Sequence, residues 1–153
     1  MKNILIVFAL ILVTACSKDN DIPEPIDYTV QNDEDIQAYI TANNLTAEKS
    51  STGLYYVIDE QGSGDQPTFT DNVTVAYKGY FLDGTVFDQS NEAGISFNLQ
   101  GVISGWTEGI TYFNEGGSGI LLVPAHLGYG SYNYNGIPGG SVLIFEVNLV
   151  SVN

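Results

Sequence analysis

The sequence predicts an α+β fold, an antiparallel sheet accompanied by two short helices, and three observations carry that expectation. Apolar residues alternate with polar or small ones at Val73, Val75 and Tyr77, at Ile95, Phe97 and Leu99, and at Leu143, Phe145, Val147 and Leu149. This period of two is the mark of a strand with one face buried. Asp83-Gly84 stands between Tyr80-Phe81-Leu82 and Thr85-Val86-Phe87, the strongest hairpin signal in the chain. Trp106, Ile110 and Phe113 fall at i, i+4 and i+7, the spacing of one helical face.

The chain opens with a segment that belongs to targeting rather than to the fold. Lys2 supplies a positive start, and residues 4–13 are an almost unbroken apolar run. A membrane-spanning helix needs about 20 apolar residues, so this run is too short for one. It ends in Val13-Thr14-Ala15-Cys16, which resembles the lipobox of bacterial lipoproteins. The resemblance implies that residues 1–15 are a signal peptide, cut off before Cys16, and that Cys16 is then lipidated. Cys16 is the only cysteine, so no disulfide forms within a monomer. A buried core thiol is the alternative, but the position directly after an apolar run argues against it.

Residues 16–31 read as an acidic tether, polar and proline-bearing (Pro23, Pro25), with too little apolar area to pack. Ser17-Lys18-Asp19-Asn20-Asp21 resembles the acidic tags that send some Bacteroidota lipoproteins to the cell surface, or is ordinary linker. Residues 32–52 form a lead-in containing one helix over residues 32–44. Asn32 is placed to cap it, Asp33, Glu34 and Asp35 suit the positive end of its dipole, and Ile36, Tyr39 and Ile40 share a face. The domain proper is expected over residues 53–153. Its strands begin at Leu54-Tyr55-Tyr56-Val57-Ile58, closed by Gly62 and Gly64. Ser104 is placed to cap the Trp106 helix, and Gly116-Gly117 to stop it. Strands over residues 120–123 and 141–152 complete the set.

Composition excludes some functions. The 153 residues include four lysines, no arginine and 18 acidic residues, for a net charge of -14. Such a surface repels phosphate, which removes nucleic acid as a partner. No Gly-x-Ser-x-Gly or phosphate-binding loop occurs, and the single His126 has no evident zinc partners. Glu108 and Glu115 fit a wet helix face better than an acid–base pair. What remains is an aromatic set, Tyr77, Phe87, Trp106, Tyr129 and Phe145. Composition alone assigns such a set to core packing.

The flanking residues change that assignment. Val75-Ala76-Tyr77-Lys78-Gly79, Asp83-Gly84-Thr85-Val86-Phe87-Asp88 and Val102-Ile103-Ser104-Gly105-Trp106-Thr107-Glu108-Gly109 follow in order. Leu122-Val123-Pro124, Leu127-Gly128-Tyr129-Gly130, Ile137-Pro138 and Leu143-Ile144-Phe145-Glu146-Val147 come next. This series resembles the FKBP-type peptidyl-prolyl cis-trans isomerases over roughly residues 53–152. The resemblance implies a half-barrel: a twisted antiparallel β-sheet wrapped around the Trp106 helix, with the substrate pocket between them. It implies Trp106 as the floor and Tyr77, Phe87, Ile95, Val102, Ile103, Ile137 and Phe145 as walls and contacts. The Ile103 amide and Tyr129 hydroxyl would hold peptide carbonyls, with Asp88 at the rim beside the carbonyl that rotates. Catalysis is thereby assigned to Asp88, Tyr129, Trp106 and Phe87.

The same resemblance implies proline-containing polypeptide clients, macrolide ligands and no metal or cofactor. Together with the lipobox it gives a monomer held by its lipid anchor in the cell envelope, at the outer membrane, on either the periplasmic or the surface face. Where Ile95 stands, many relatives carry an aromatic residue, and some pair the rim aspartate with an arginine that this chain lacks. Tyr132 and Tyr134, in the loop over residues 131–136, either meet substrate or form an exposed turn. A binding module that holds proteins without turnover is the competing reading, and a structural component of a surface complex is a third.

Overall fold

A computed structural model describes residues 24–153; the expectations for residues 1–15, Cys16 and the segment up to Pro23 lie outside the described residues. Seven strands make one antiparallel sheet: β1 (Glu48–Lys49), β2 (Tyr55–Glu60), β3 (Asn72–Tyr80), β4 (Val86–Gln89), β5 (Ile95–Asn98), β6 (Ser118–Val123) and β7 (Leu143–Val152). Their order is β1-β2-β6-β7-β3-β4, and β5 also pairs with β3.

The centre of the sheet is the pairing of its two longest strands, β3 and β7, from Val73 opposite Val152 to Tyr80 opposite Ile144. The other edge of β3 is divided. β5 takes its first half, Asn72 to Val75, and β4 takes Lys78 to Tyr80. Between the two, Tyr77 keeps contact with the connecting segment through Ser90, whose amide donates to the Tyr77 carbonyl and whose Oγ accepts from the Tyr77 amide, both at 2.9 Å. On this edge Tyr77 is thus held by Ser90 of the connecting segment, between the parts taken by β5 and β4. The hairpin joining β3 to β4 turns at the expected Asp83-Gly84. Gly84 takes φ +85°, a left-handed conformation that glycine adopts without steric cost, and its amide donates to the Phe81 carbonyl at 2.9 Å.

Each sheet face carries one helix. On the concave face lies α2 (Ser104–Gly109), a short helix continued by a 3-10 turn over Ile110–Tyr112. Trp106, Ile110 and Phe113 from this segment pack against Leu121, Val123, Leu143, Phe145, Val147 and Leu149, as the periods of 3.6 and two require. On the opposite face, α1 (Thr29–Ala42) buries Ile36 against Tyr55, Tyr80, Leu122, Val142 and Ile144.

Both caps differ from expectation. α1 starts at Thr29, after Tyr28, and Asn32 lies inside it as a buried residue. Asn32 is drawn inward because its side chain bonds to two distant backbone groups, on Ala125 and Gly140. Ser104 is the first residue of α2, and the cap position belongs to Ile103, which makes no side-chain capping bond. The lead-in also contributes a strand, since β1 pairs with β2 ahead of Gly53.

Ile36 is fully buried in the seam between α1 and the sheet. Truncating such a residue removes its transfer energy and leaves a cavity, at a cost of about 2–5 kcal/mol. Ile36→Ala is therefore expected to lower the urea-unfolding free energy by about 3 kcal/mol within a single cooperative transition. A change well under 1 kcal/mol would mean that α1 is a loose appendage.

Candidate active site

Side chains of β3, β4, β5 and β7 and the N-terminal end of α2 enclose a cavity of about 530 Å³. Trp106 forms part of its lining and is only 5% exposed. Three rings meet the indole: Tyr77 edge-on at 5.0 Å and 89°, Phe145 edge-on at 5.2 Å and 82°, and Phe97 tilted at 5.3 Å. Phe87 extends the set by standing edge-on to Phe145 at 5.5 Å and beside Phe81 at 4.9 Å. Such aromatic pairs each contribute about 0.5–1.5 kcal/mol beyond their buried area. The result is a rigid apolar lining. The indole Nε1–H is buried and has no hydrogen-bond partner among the described residues.

Polar groups stand at the rim. The Tyr77 hydroxyl donates to Asp88 Oδ2 at 2.6 Å, and the Gln89 amide donates to Asp88 Oδ1 at 2.9 Å. These two bonds orient the carboxylate in a chain that has no arginine to do so. Burial pushes the Tyr77 phenol well above its ordinary value, and the bond to Asp88 adds to the effect. Burial also raises the Tyr129 phenol, with Tyr134 and Asp88 acting in the same direction. Both hydroxyls thus stay protonated beyond the usual phenol range and remain donors. Neither the Tyr129 hydroxyl nor the Ile103 amide is engaged by another described residue.

Tyr77, Phe87, Asp88, Ile95, Val102, Ile103, Trp106, Tyr129 and Phe145 all line this one cavity. Ile95 does so from an outer position, 48% exposed. Ile137 does not reach it. It is buried under an adjoining cavity of about 490 Å³, where its backbone is tied to Tyr134 by two hydrogen bonds of 2.8 and 2.9 Å.

Sequence reasoning missed Phe97, Gly101 and Asn135 and left Tyr134 open between substrate contact and exposed turn; all four complete the lining. The signal for Phe97 was available: it alternates with Ile95 and Leu99, and pairing with Val73 turns it toward the core. Tyr134 had no such signal, because its place depends on a loop in which Asn135 and Gly136 take φ of +45° and +87°. Its ring stacks on Tyr129 at 5.1 Å and 12°.

The other titratable side chains singled out in the sequence lie elsewhere. Glu108 accepts from the Thr52 and Tyr112 hydroxyls, Glu115 accepts from the Val152 amide, and His126 Nε2 lies 2.9 Å from the Thr52 carbonyl. Among the described residues no three histidine, cysteine, aspartate or glutamate side chains converge as metal ligands do. The geometry holds no nucleophile with its base. It offers an apolar box with hydrogen-bond groups along one side.

Comparison with known proteins agrees with the fold. The family model for FKBP-type peptidyl-prolyl cis-trans isomerases matches residues 64–150. The chain belongs to that family. It is 47% identical over 113 residues to the FKBP-type peptidyl-prolyl cis-trans isomerase FkpA of Escherichia coli, covering 72% of this chain and 42% of that protein. It is 42% identical over 126 residues to the peptidyl-prolyl cis-trans isomerase Mip of Coxiella burnetii, covering 79% of this chain and 55% of that one. The chain thus spans about half the length of these relatives. The crystal structure of Escherichia coli FkpA superposes with a TM-score of 0.73 at 38% identity, over 82% of this chain and 61% of that one. That of a peptidyl-prolyl cis-trans isomerase from Pseudomonas syringae gives 0.70 at 26% identity, over 82% and 96%.

Gly79 lies directly behind the lining. A Cβ there would stand 2.7 Å from Phe87 and 2.9 Å from Phe145, closer than packed atoms tolerate. Gly79→Ala is expected to displace both rings at a cost of about 1–3 kcal/mol and to alter the near-ultraviolet circular dichroism of Trp106, the only tryptophan. An unchanged spectrum would mean that the rings do not rest on Gly79.

Proposed function

We propose that this chain is a peptidyl-prolyl cis-trans isomerase that assists the folding of exported or envelope proteins. The observation that carries the reading is the aromatic cavity over Trp106 with two unengaged donors, the Ile103 amide and the Tyr129 hydroxyl, beside the held Asp88 carboxylate.

The chemistry follows from the peptide bond. Rotation about it is opposed by ~18–20 kcal/mol of amide resonance. For X-Pro bonds the two ground states lie close in energy, yet exchange takes roughly tens to hundreds of seconds. No covalent bond has to be made or broken, so catalysis needs only preferential binding of the twisted form. The planar amide is charge-separated and favours water. The twisted amide is less polar and is accommodated better by a lining of Trp106, Tyr77, Phe97 and Phe145. The proline ring seats on Trp106, while the Ile103 amide and Tyr129 hydroxyl hold peptide carbonyls. Asp88 faces the carbonyl that rotates. A neutral Tyr129 is required for this role, and its raised phenol value supplies one.

The test is an X-Pro isomerisation assay on a short peptide with the purified full chain, with apolar residues before proline preferred. Tyr129→Phe should slow the reaction by about three- to tenfold, the loss of one hydrogen bond worth ~0.5–1.5 kcal/mol. Trp106→Ala should do more by opening the floor. Macrolide ligands of the family should suppress the activity and shift the Trp106 fluorescence. A wild-type rate equal to the uncatalysed one would refute the enzyme reading.

We further propose that residues 1–15 direct export, that Cys16 carries the lipid, and that the residues ahead of Ile26 tether a monomeric isomerase to an envelope membrane. This is a shorter tether than the 16–31 expected, since Ile26 is bonded to Ser131 and α1 begins at Thr29. Two or more acyl chains anchor durably where one gives only marginal binding. Cys16→Ala should release the protein from the membrane fraction or leave the signal uncut; stable membrane attachment of that variant with its signal removed would contradict the anchor. Added protease tells the two faces apart. Degradation of the wild type in intact cells, lost when Lys18, Asp19 and Asp21 are replaced by Ala, places it outside, and protection places it in the periplasm.

A further inference from the structure

The loop over residues 125–140 carries Tyr129 and Tyr134 to the cavity, yet it contains little regular structure: a 3-10 turn at Ala125–Leu127 and the bridge between Tyr134 and Ile137. It is closed from outside the family-matched span of residues 64–150. Asn32, on α1, is 2% exposed and is the one buried polar side chain among the described residues. Its Oδ1 accepts from the Ala125 amide at 2.8 Å, and its Nδ2 donates to the Gly140 carbonyl at 2.9 Å. The amide's orientation follows from its partners, one a donor and the other an acceptor.

The loop completes the circuit. The Gly140 amide donates to the Gly130 carbonyl at 2.9 Å, and the Gly130 amide donates to the Ala125 carbonyl at 2.8 Å. Asn32, Ala125, Gly130 and Gly140 therefore form a closed ring of four hydrogen bonds. Tyr129 is the residue next to Gly130 in that ring. A second link lies alongside, where the Ser131 hydroxyl donates to the Ile26 carbonyl at 2.6 Å and Gly140 lies against the Tyr28 ring.

We propose that Asn32 is a positioning residue for the isomerisation: through this ring it sets where the Tyr129 hydroxyl stands over the cavity. The proposal rests on the isomerase reading. Asn32 touches no substrate. It acts by tying both ends of the loop to a helix that is itself docked through Ile36. Removing the amide leaves a buried backbone amide at Ala125 and a part-buried carbonyl at Gly140 without this partner, and the loop is free to shift. A displacement of about 1 Å at a substrate-orienting group is enough to forfeit most of what that group contributes to the rate.

Full-chain variants test it by steady-state isomerisation, urea unfolding and amide hydrogen exchange. Asn32→Ala should lower kcat by at least about twofold and by no more than Tyr129→Phe does, with a smaller change in KM. Added to Tyr129→Phe it should lower the rate by less than about twofold further, because the group it positions is already gone. Ile36→Ala, which loosens the helix that carries Asn32 but leaves the four bonds of the ring in place, should lower kcat by less than Asn32→Ala does. Asn32→Asp keeps the acceptor for Ala125 but loses the donor for Gly140, and its Gly130 and Gly140 amides should exchange at least about tenfold faster than in wild type. That measurement stands even if wild type has no isomerase activity, an outcome that removes the function but not the ring. Wild-type kcat in Asn32→Ala, full additivity with Tyr129→Phe, or unchanged exchange in Asn32→Asp would overturn the proposal. Should neither Asn32 variant fold, wild-type exchange decides: Gly130 and Gly140 amides that exchange as fast as an open chain overturn it, and protected ones support it.

Discussion

The arrangement depends on one packing event, the seating of Trp106 between β3 and β7. Its indole meets Tyr77 of β3 and Phe145 of β7 edge-on, at 5.0 and 5.2 Å. Those strands pair along most of their length, so the contact locks α2 to the middle of the sheet. The same contact keeps the cavity from collapsing. Edge-to-face rings hold fixed angles, and the space above the indole is bounded by side chains that cannot close over it without losing those angles. β4 and β5 share the far edge of β3, and each brings side chains to the cavity, Phe87 and Asp88 from one and Ile95 and Phe97 from the other.

Most of the architecture was legible in the sequence. Alternation at Val73, Val75 and Tyr77 and at Leu143, Phe145, Val147 and Leu149 predicted the two central strands, which gather their inner residues into one core. The Asp83-Gly84 turn and the Trp106, Ile110, Phe113 spacing were readable for the same reason: each is a local pattern with a local cause. Boundaries were less so. Asn32 has the chemistry of a cap, and nothing near it in sequence reveals that its partners lie on Ala125 and Gly140. Ser104 is a similar case, since the backbone turns into the helix one residue earlier, at Ile103.

The lining divides along the same line. Tyr77, Phe87, Asp88, Val102, Ile103, Trp106, Tyr129 and Phe145 sit in contiguous motifs, and all of them line the cavity. Ile137 was grouped with them by its place beside Pro138, but the bridge to Tyr134 turns it toward a neighbouring space. Tyr134 itself was ambiguous until its loop was seen, because positive φ at Asn135 and Gly136 decides which way its ring faces. The orientation of Asp88 was also beyond the sequence. Its holder, Tyr77, is eleven residues away along the chain and becomes a neighbour only across the β3–β4 pair.

The central claim is that proline binds over Trp106 and is held by the Ile103 amide and the Tyr129 hydroxyl. Nuclear Overhauser contacts between a saturating proline-containing peptide and the protein test it most directly. The expected result is a set of contacts from the proline ring to the Trp106 indole and to Tyr77 and Phe145, with the Ile103 amide resonance shifting on binding. Proline contacts confined to another surface, or none at saturation, would contradict it.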